Sequence, residues 1–151
     1  EIMPSLVGSE MCIRDRGGWA LSHDMQGLHL TADLHGCRCA MDCLTQADAL
    51  GAFCVQAVEA AGLQAVGRLF HTFPGTAQGP GGVTATVLLA ESHLCVHTWP
   101  ERRAVTLDVY VCNFGGDHST RARALMEALL QRFDATQVEQ HQLLRGQPVQ
   151  A

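Results

Sequence analysis

Residues 88–101, LLAESHLCVHTWPE, set an acid, a hydroxyl and an imidazole in a row inside an apolar stretch, with a second imidazole close behind. Strands buried on both faces seldom carry three such groups together. Glu91, Ser92 and His93 therefore ask for a chemical reason. A serine hydroxyl can attack the carbonyl of the residue before it where the backbone is strained and the amide twisted, which turns that amide into an ester. If a base then removes the Ser92 α-proton, the ester eliminates and the chain splits. The serine remnant passes through dehydroalanine to a ketone, an N-terminal pyruvoyl group.

The base has to lie near Ser92. His97 is five residues on and could reach back after a tight turn, whereas His93 is adjacent but points to the opposite face. Thr84, on the preceding strand, offers a hydroxyl to hold an oxyanion. Spacing alone leaves other readings open. A Ser-His hydrolase would use the same residue types, but the chain has no G-x-S-x-G elbow. A metal held by His93 and His97 would need further ligands, and none is obvious.

One count bears on this directly. All ten basic residues are arginine, and the chain has no lysine. It therefore cannot form a lysine Schiff base, with substrate or with pyridoxal phosphate. Carbonyl–amine chemistry would need a carbonyl from elsewhere, and a pyruvoyl group made from Ser92 is one.

The remaining composition sets bounds. A length of 151 residues suits one domain with its own core, and 47% apolar against 17% charged residues indicates a globular chain. A net charge of −5 without a basic run argues against nucleic acid as a partner. No apolar run reaches membrane-spanning length and no signal-peptide pattern opens the chain, so the expectation is a cytoplasmic protein with no membrane partner. The seven cysteines are odd in number. The cluster Cys37, Cys39, Cys43 lacks zinc-knuckle or CxxC spacing, so reduced thiols serving as small apolar residues are expected, and no metal.

The elements that position these groups follow from periodicity. Residues 1–24 show no sustained period and resemble the translated read-through of a sequencing adapter. They are expected to be a non-native or disordered leader, with Met25 as the start of a single domain over 25–151. Leu28, Leu30, Ala32 and Leu34 alternate with polar residues and predict a half-buried strand. Thr45 is expected to cap a helix from Gln46 to about Ala61 that buries Ala49, Leu50, Phe53, Cys54, Ala57 and Val58, with Gly62 ending it. Strands are expected over 63–73, 83–90, 94–99 and 105–112, with a Pro/Gly loop at 74–82. Asp117 or Ser119 can cap a second helix to about Phe133, and a last strand runs over 136–144. The order β-α-β-β-β-β-α-β predicts an α+β two-layer sandwich, a mostly antiparallel sheet with helices on one face.

The run Glu-Ser-His-x-x-x-His-Thr-Trp-Pro-Glu resembles the prokaryotic type of S-adenosylmethionine decarboxylase proenzyme. So do HLTADLHGC, FHTFPG, GGVT and the LDVYVC that closes the next strand, all in the family's order. The likeness spans about Gly27 to Gly146. It implies self-cleavage between Glu91 and Ser92 into 1–91 and 92–151. Ser92 becomes the pyruvoyl group and Schiff-base carbonyl, His97 drives processing, and Cys112 is the catalytic proton donor. Thr84 stands where the family often has serine and keeps the hydroxyl. Phe73 matches the aromatic that stacks on adenine, and Trp99 and Glu101 match pocket residues. The ordinary roles beside these are core aromatics for Phe73 and Trp99, and for Glu101 a surface ion pair with Arg102 or Arg103.

The implied substrate is S-adenosylmethionine, whose sulfonium suits an aromatic face by about 1–2 kcal/mol of cation–π attraction. The implied product serves spermidine synthesis, and the implied assembly is a homo-oligomer of cleaved protomers with sites at the interface. A pyruvoyl-dependent arginine or ornithine decarboxylase of the same fold would use Ser92, His97 and Cys112 equally. The retained HTF and HTWPE favour the adenosyl substrate over it. An unprocessed homologue acting as a binding partner would not need the complete Thr84, Ser92, His97 and Cys112 set.

Overall fold

The computed structural model describes residues 25–148. The leader expected over 1–24 lies outside them. The chain forms β1 (Gly27–Cys37), a short helix α1 (Asp42–Thr45), α2 (Ala47–Ala60), β2 (Ala65–Thr72), β3 (Val83–Leu89) and β4 (Ser92–Trp99). A 3-10 turn (Pro100–Arg102), β5 (Ala104–Cys112), α3 (Ser119–Phe133) and β6 (Ala135–Arg145) complete it. The six strands make one sheet in the order β2-β3-β4-β5-β1-β6, antiparallel throughout. Both long helices pack on one face of it, so the α+β two-layer sandwich is the observed architecture.

Alternation decides which side chains meet the helices. Leu28, Leu30, Ala32 and Leu34 of β1, Val83, Ala85, Val87 and Leu89 of β3, and Val105, Leu107, Val109 and Val111 of β5 are all buried under them. The helices answer at helical spacing. Leu50, Cys54, Ala57 and Val58 of α2 and Ala122, Leu125, Met126, Leu129 and Phe133 of α3 form the inward stripes. Ala49, expected on the inner stripe of α2, is exposed, and Phe53 is half-buried under the Arg132 guanidinium 5.0 Å from its ring.

The helix ends differ in part from expectation. Thr45 does not cap α2. It closes the short α1 instead, and its hydroxyl donates back to the Met41 carbonyl at 3.1 Å. Gln46 takes the extended conformation before α2 and makes no side-chain cap. Gly62 ends α2 as expected. At φ +80° it lets its own N–H reach the Glu59 carbonyl and the Leu63 N–H reach the Val58 carbonyl, the paired bonds of a Schellman motif. Asp117 accepts the Ser119 N–H at 2.8 Å at the start of α3, and that bond holds its carboxyl below the usual carboxylate range.

The opposite face of the sheet has no layer over it among the described residues. It presents His71 of β2, Thr84, Thr86 and Leu88 of β3, His93, Cys95, His97 and Trp99 of β4, Thr106, Asp108 and Tyr110 of β5, and His29 and Thr31 of β1. Leu69 and Leu88 on this face are 74% and 52% exposed, an unusual state for leucines in mid-strand. Among the described residues no helix is long and apolar enough to cross a membrane.

Candidate functional site

The residues singled out by the sequence fall into two groups at opposite ends of β4; Cys112 and the His97 group lie on the helix-free face, whereas Ser92 has the parity of buried Leu94 and pairs with buried Val111. The first group surrounds the Glu91–Ser92 bond. Ser92 opens β4 and pairs with Val111 of β5, and because the strands are antiparallel, Cys112 at the end of β5 lies beside it. The Cys112 N–H donates to the Glu91 carbonyl at 2.8 Å. Glu91 is itself buried, and its Oε2 accepts the Gln64 N–H at 3.3 Å. The Ala90 N–H reaches the Gln64 carbonyl at 2.9 Å. The turn from β3 into β4 is thus fixed on both sides of the bond. Ser92 has φ 159°, at the limit of the extended region, so this dihedral carries little of the strain the attack was expected to draw on. What marks the bond is a carbonyl already engaged by an N–H donor.

The second group lines a cleft of about 610 Å³ at the other end of β3 and β4, within the range of small-molecule sites. Phe73, Thr84, His97, Trp99 and Glu101 all face it, together with the Pro/Gly loop. Thr84 and His97 are a cross-strand pair, and Thr84 Oγ1 shares a hydrogen bond of 2.7 Å with His97 Nδ1. The His97 and Trp99 rings stand 6.4 Å apart, and the His71 ring meets Phe73 edge-on at 5.0 Å. Phe73 and Trp99 are 49% and 40% exposed, which is not the state of core aromatics. Glu101 sits on the 3-10 turn and is exposed. Among the described residues it makes no ion pair with Arg102 or Arg103, and the Arg103 guanidinium donates to the Cys37 and Cys39 carbonyls instead.

His97 does not turn back to Ser92 within one chain. Leu94, Val96 and Thr98 are buried in strict alternation along β4, so the strand is continuous from Ser92 to Trp99. Five residues of strand separate the two by about 16 Å at ~3.3 Å per residue. Cys112 is similarly remote from Thr84. The structure therefore assembles Ser92 with Cys112, and His97 with Thr84, Phe73, Trp99 and Glu101, but keeps the two sets apart.

The surroundings of His93 were not legible from its own strand. Its ring packs against Tyr110 at 5.6 Å and His29 at 6.2 Å. His29 Nε2 lies 3.0 Å from Asp108 Oδ1, and the Arg145 guanidinium stacks on Tyr110 at 5.0 Å. Burial first, then the neighbouring His29, push His93 below the ordinary imidazole value, so at neutral pH it stays uncharged beside Ser92. The alternation of β1 and β5 carried this signal, since it sets His29 and Tyr110 on one face. Their pairing needed the register. Among the described residues no group of three or more His, Cys, Asp or Glu side chains is arranged to hold a metal. Cys37, Cys43 and Cys54 are buried free thiols, and burial, then the Cys43 and Cys37 thiols, push half-buried Cys39 up to about 11.

Residues 28–146 match the family described as S-adenosylmethionine decarboxylase. The chain is 34% identical over 120 residues to the S-adenosylmethionine decarboxylase proenzyme of Hydrogenobaculum sp. (strain Y04AAS1), covering 80% of this chain and 81% of the relative. It is 32% identical over 120 residues to the proenzyme of the same name from Archaeoglobus fulgidus, covering 80% of this chain and 97% of that one. The crystal structure of the adenosylmethionine decarboxylase from Aquifex aeolicus VF5 superposes with a TM-score of 0.70 at 30% identity, covering 84% of this chain and 95% of the other.

Proposed function

This chain belongs to the S-adenosylmethionine decarboxylase family, and from that premise we propose that it cleaves itself between Glu91 and Ser92 and decarboxylates S-adenosylmethionine with the pyruvoyl group so made. The product, S-adenosylmethioninamine, is an aminopropyl donor for spermidine. The observation that carries this reading is the Glu91 carbonyl held at 2.8 Å by the Cys112 N–H. That donor points at the oxygen on which charge builds when the Ser92 hydroxyl attacks the carbonyl carbon. The Glu91–Ser92 amide becomes an ester. Removal of the Ser92 α-proton breaks the Ser92 Cβ–O bond and releases 1–91 with Glu91 as its carboxylate end. The dehydroalanine left on 92–151 takes up water and loses ammonia to give the ketone. Ser92 fits the group because its neighbours hold the bond in place and the chain has no lysine to provide a carbonyl-reactive amine.

His97 is the base for the α-proton. With Nδ1–H donated to Thr84, its Nε2 is free to accept a proton, and the Thr84 hydroxyl hydrogen remains available to an oxyanion. A ketone at residue 92 supplies an electrophile for the substrate's α-amine and a sink for the electron pair that CO2 leaves behind. The Cys112 thiol then delivers a proton to the substrate α-carbon. Phe73 and Trp99 give aromatic faces to the adenine and sulfonium, and exposed Glu101 offers a carboxylate at the cleft's rim. An arginine or ornithine substrate would leave those aromatic faces without a partner and is not favoured.

The two half-sites favour a homodimer of cleaved protomers. A two-fold axis through the middle of the open face, between Ser92 and His97 on β4, brings the Ser92–Cys112 end of one protomer over the Thr84–His97 cleft of the other. The exposed Leu69 and Leu88 lie on the same face. The soluble cytoplasm is the compartment proposed for the enzyme.

Intact-mass measurement of the purified protein tests the reading. Two chains split between Glu91 and Ser92 are expected, with the second blocked to Edman sequencing. They should release CO2 from S-adenosylmethionine and not from arginine or ornithine. Ser92→Ala should stay whole and inactive. A single intact chain with full activity would overturn it.

A further inference from the structure

Thr98 is a polar residue buried in the floor of the cleft, only 6% exposed, between two residues that face it. Its hydroxyl is used on both sides. It donates to the Leu44 carbonyl of α1 at 2.6 Å and accepts the Val83 N–H of β3 at 2.8 Å. One side chain thus ties three elements together where β3 and β4 enter the cleft. Successive side chains on a strand point to opposite faces, so anchoring Thr98 inward fixes how His97 and Trp99 project outward. The bond to the Val83 N–H sets the start of β3, and with it Thr84, whose 2.7 Å contact with His97 depends on that register. The tie extends to Phe73. A Cβ on Gly82 would collide with the Thr98 carbonyl, and this close approach lets the Gly82 carbonyl accept the Phe73 N–H at 2.9 Å.

We propose that the Thr98 hydroxyl is a positioning group for the Thr84–His97 pair and for Phe73. This rests on the reading of His97 as the processing base. The hydroxyl is engaged by the Leu44 carbonyl and the Val83 N–H and acts by fixing the cleft half-site. Its loss should therefore slow self-cleavage, which needs His97. In the fraction that does cleave, KM should rise because Phe73 and Trp99 bind substrate, while kcat holds because Ser92 and Cys112 come from the other end of the sheet in the partner protomer and are not anchored by Thr98. A merely structural residue would lower thermal stability without separating these quantities.

The test follows the first-order cleavage of freshly translated full-length chain well below its melting temperature. Thr98→Val keeps the shape and removes the donor and acceptor, and a rate loss on the order of 10²-fold is expected from a misplacement of about 1 Å. Thr98→Ser should cleave close to the parent rate. Thr98→Cys has nearly the shape of serine but a weaker donor, and should fall between serine and valine. If the valine variant does not fold, the serine and cysteine pair decides. Equal cleavage rates in those two, or a valine variant that cleaves at the parent rate, would overturn the inference while leaving self-cleavage intact. A parent chain that never cleaves would overturn the processing reading and this inference with it.

Discussion

Cys112 brings two groups to one bond, and they have separate duties in the proposed reaction. Its N–H holds the Glu91 carbonyl during processing, and its thiol serves the substrate afterwards. Cys112→Ala keeps the first and removes the second. That variant should split normally, as read by mass, and then turn over about 10² to 10⁴ times more slowly if proton transfer is the only loss. Some turnovers should place the proton on the residue-92 carbon instead, converting it to alanine, so activity should decay with the mass of the second chain. His97→Ala should behave in the opposite way. It should remain uncleaved or stall as the ester, which hydroxylamine cuts. If Cys112→Ala stayed whole, or turned over at the parent rate, the thiol would not be the donor. The types of Ser92, His97 and Cys112, proposed as the reacting groups, were legible in the sequence because they are chemically distinctive. The Cys112 N–H and Thr98 were not, since a backbone donor leaves no mark in a sequence and a buried threonine reads as one more β-branched strand residue.

The elements were legible wherever burial imposed a period. The alternation in β1 predicted its buried face, the stripe of α2 predicted its own apart from exposed Ala49 and half-buried Phe53, and β3, β5 and α3 were expected as elements. Two things escaped. Thr45 reads as a cap because its type favours one, yet a short helix before it takes its hydroxyl. The placement of β1 between β5 and β6 pairs residues more than 70 positions apart, which local period does not encode. Gly62 is an element end whose type the backbone requires. Its φ of +80° is disfavoured for any side chain, while the space around it is ordinary van der Waals contact with Arg121. Gly62→Ala should therefore cost about 1–2 kcal/mol by torsion alone. Thermal unfolding should show a lowered melting temperature with cleavage and KM unchanged. An unchanged melting temperature would mean that the turn relaxes to another form.

At the scale of the molecule, the sheet keeps the proposed functional residues in two separate sets within one protomer. Period 2 along β4 puts His97 and Trp99 on the open face, and the same continuity that does so carries His97 about 16 Å from Ser92. In the proposed homodimer, a second copy related by a two-fold axis would supply what each protomer lacks. Complementation measures this directly. Ser92→Ala and tagged His97→Ala chains are made together, and the mass of the tagged chain is followed. In a mixed dimer one site combines the intact Ser92 of the tagged chain with the intact His97 of its partner. The tagged chain, uncleaved when made alone, should then split between Glu91 and Ser92. If it stays whole in mixed dimers isolated by the tag, while the parent chain cleaves, His97 does not act across the two-fold and the shared site is wrong.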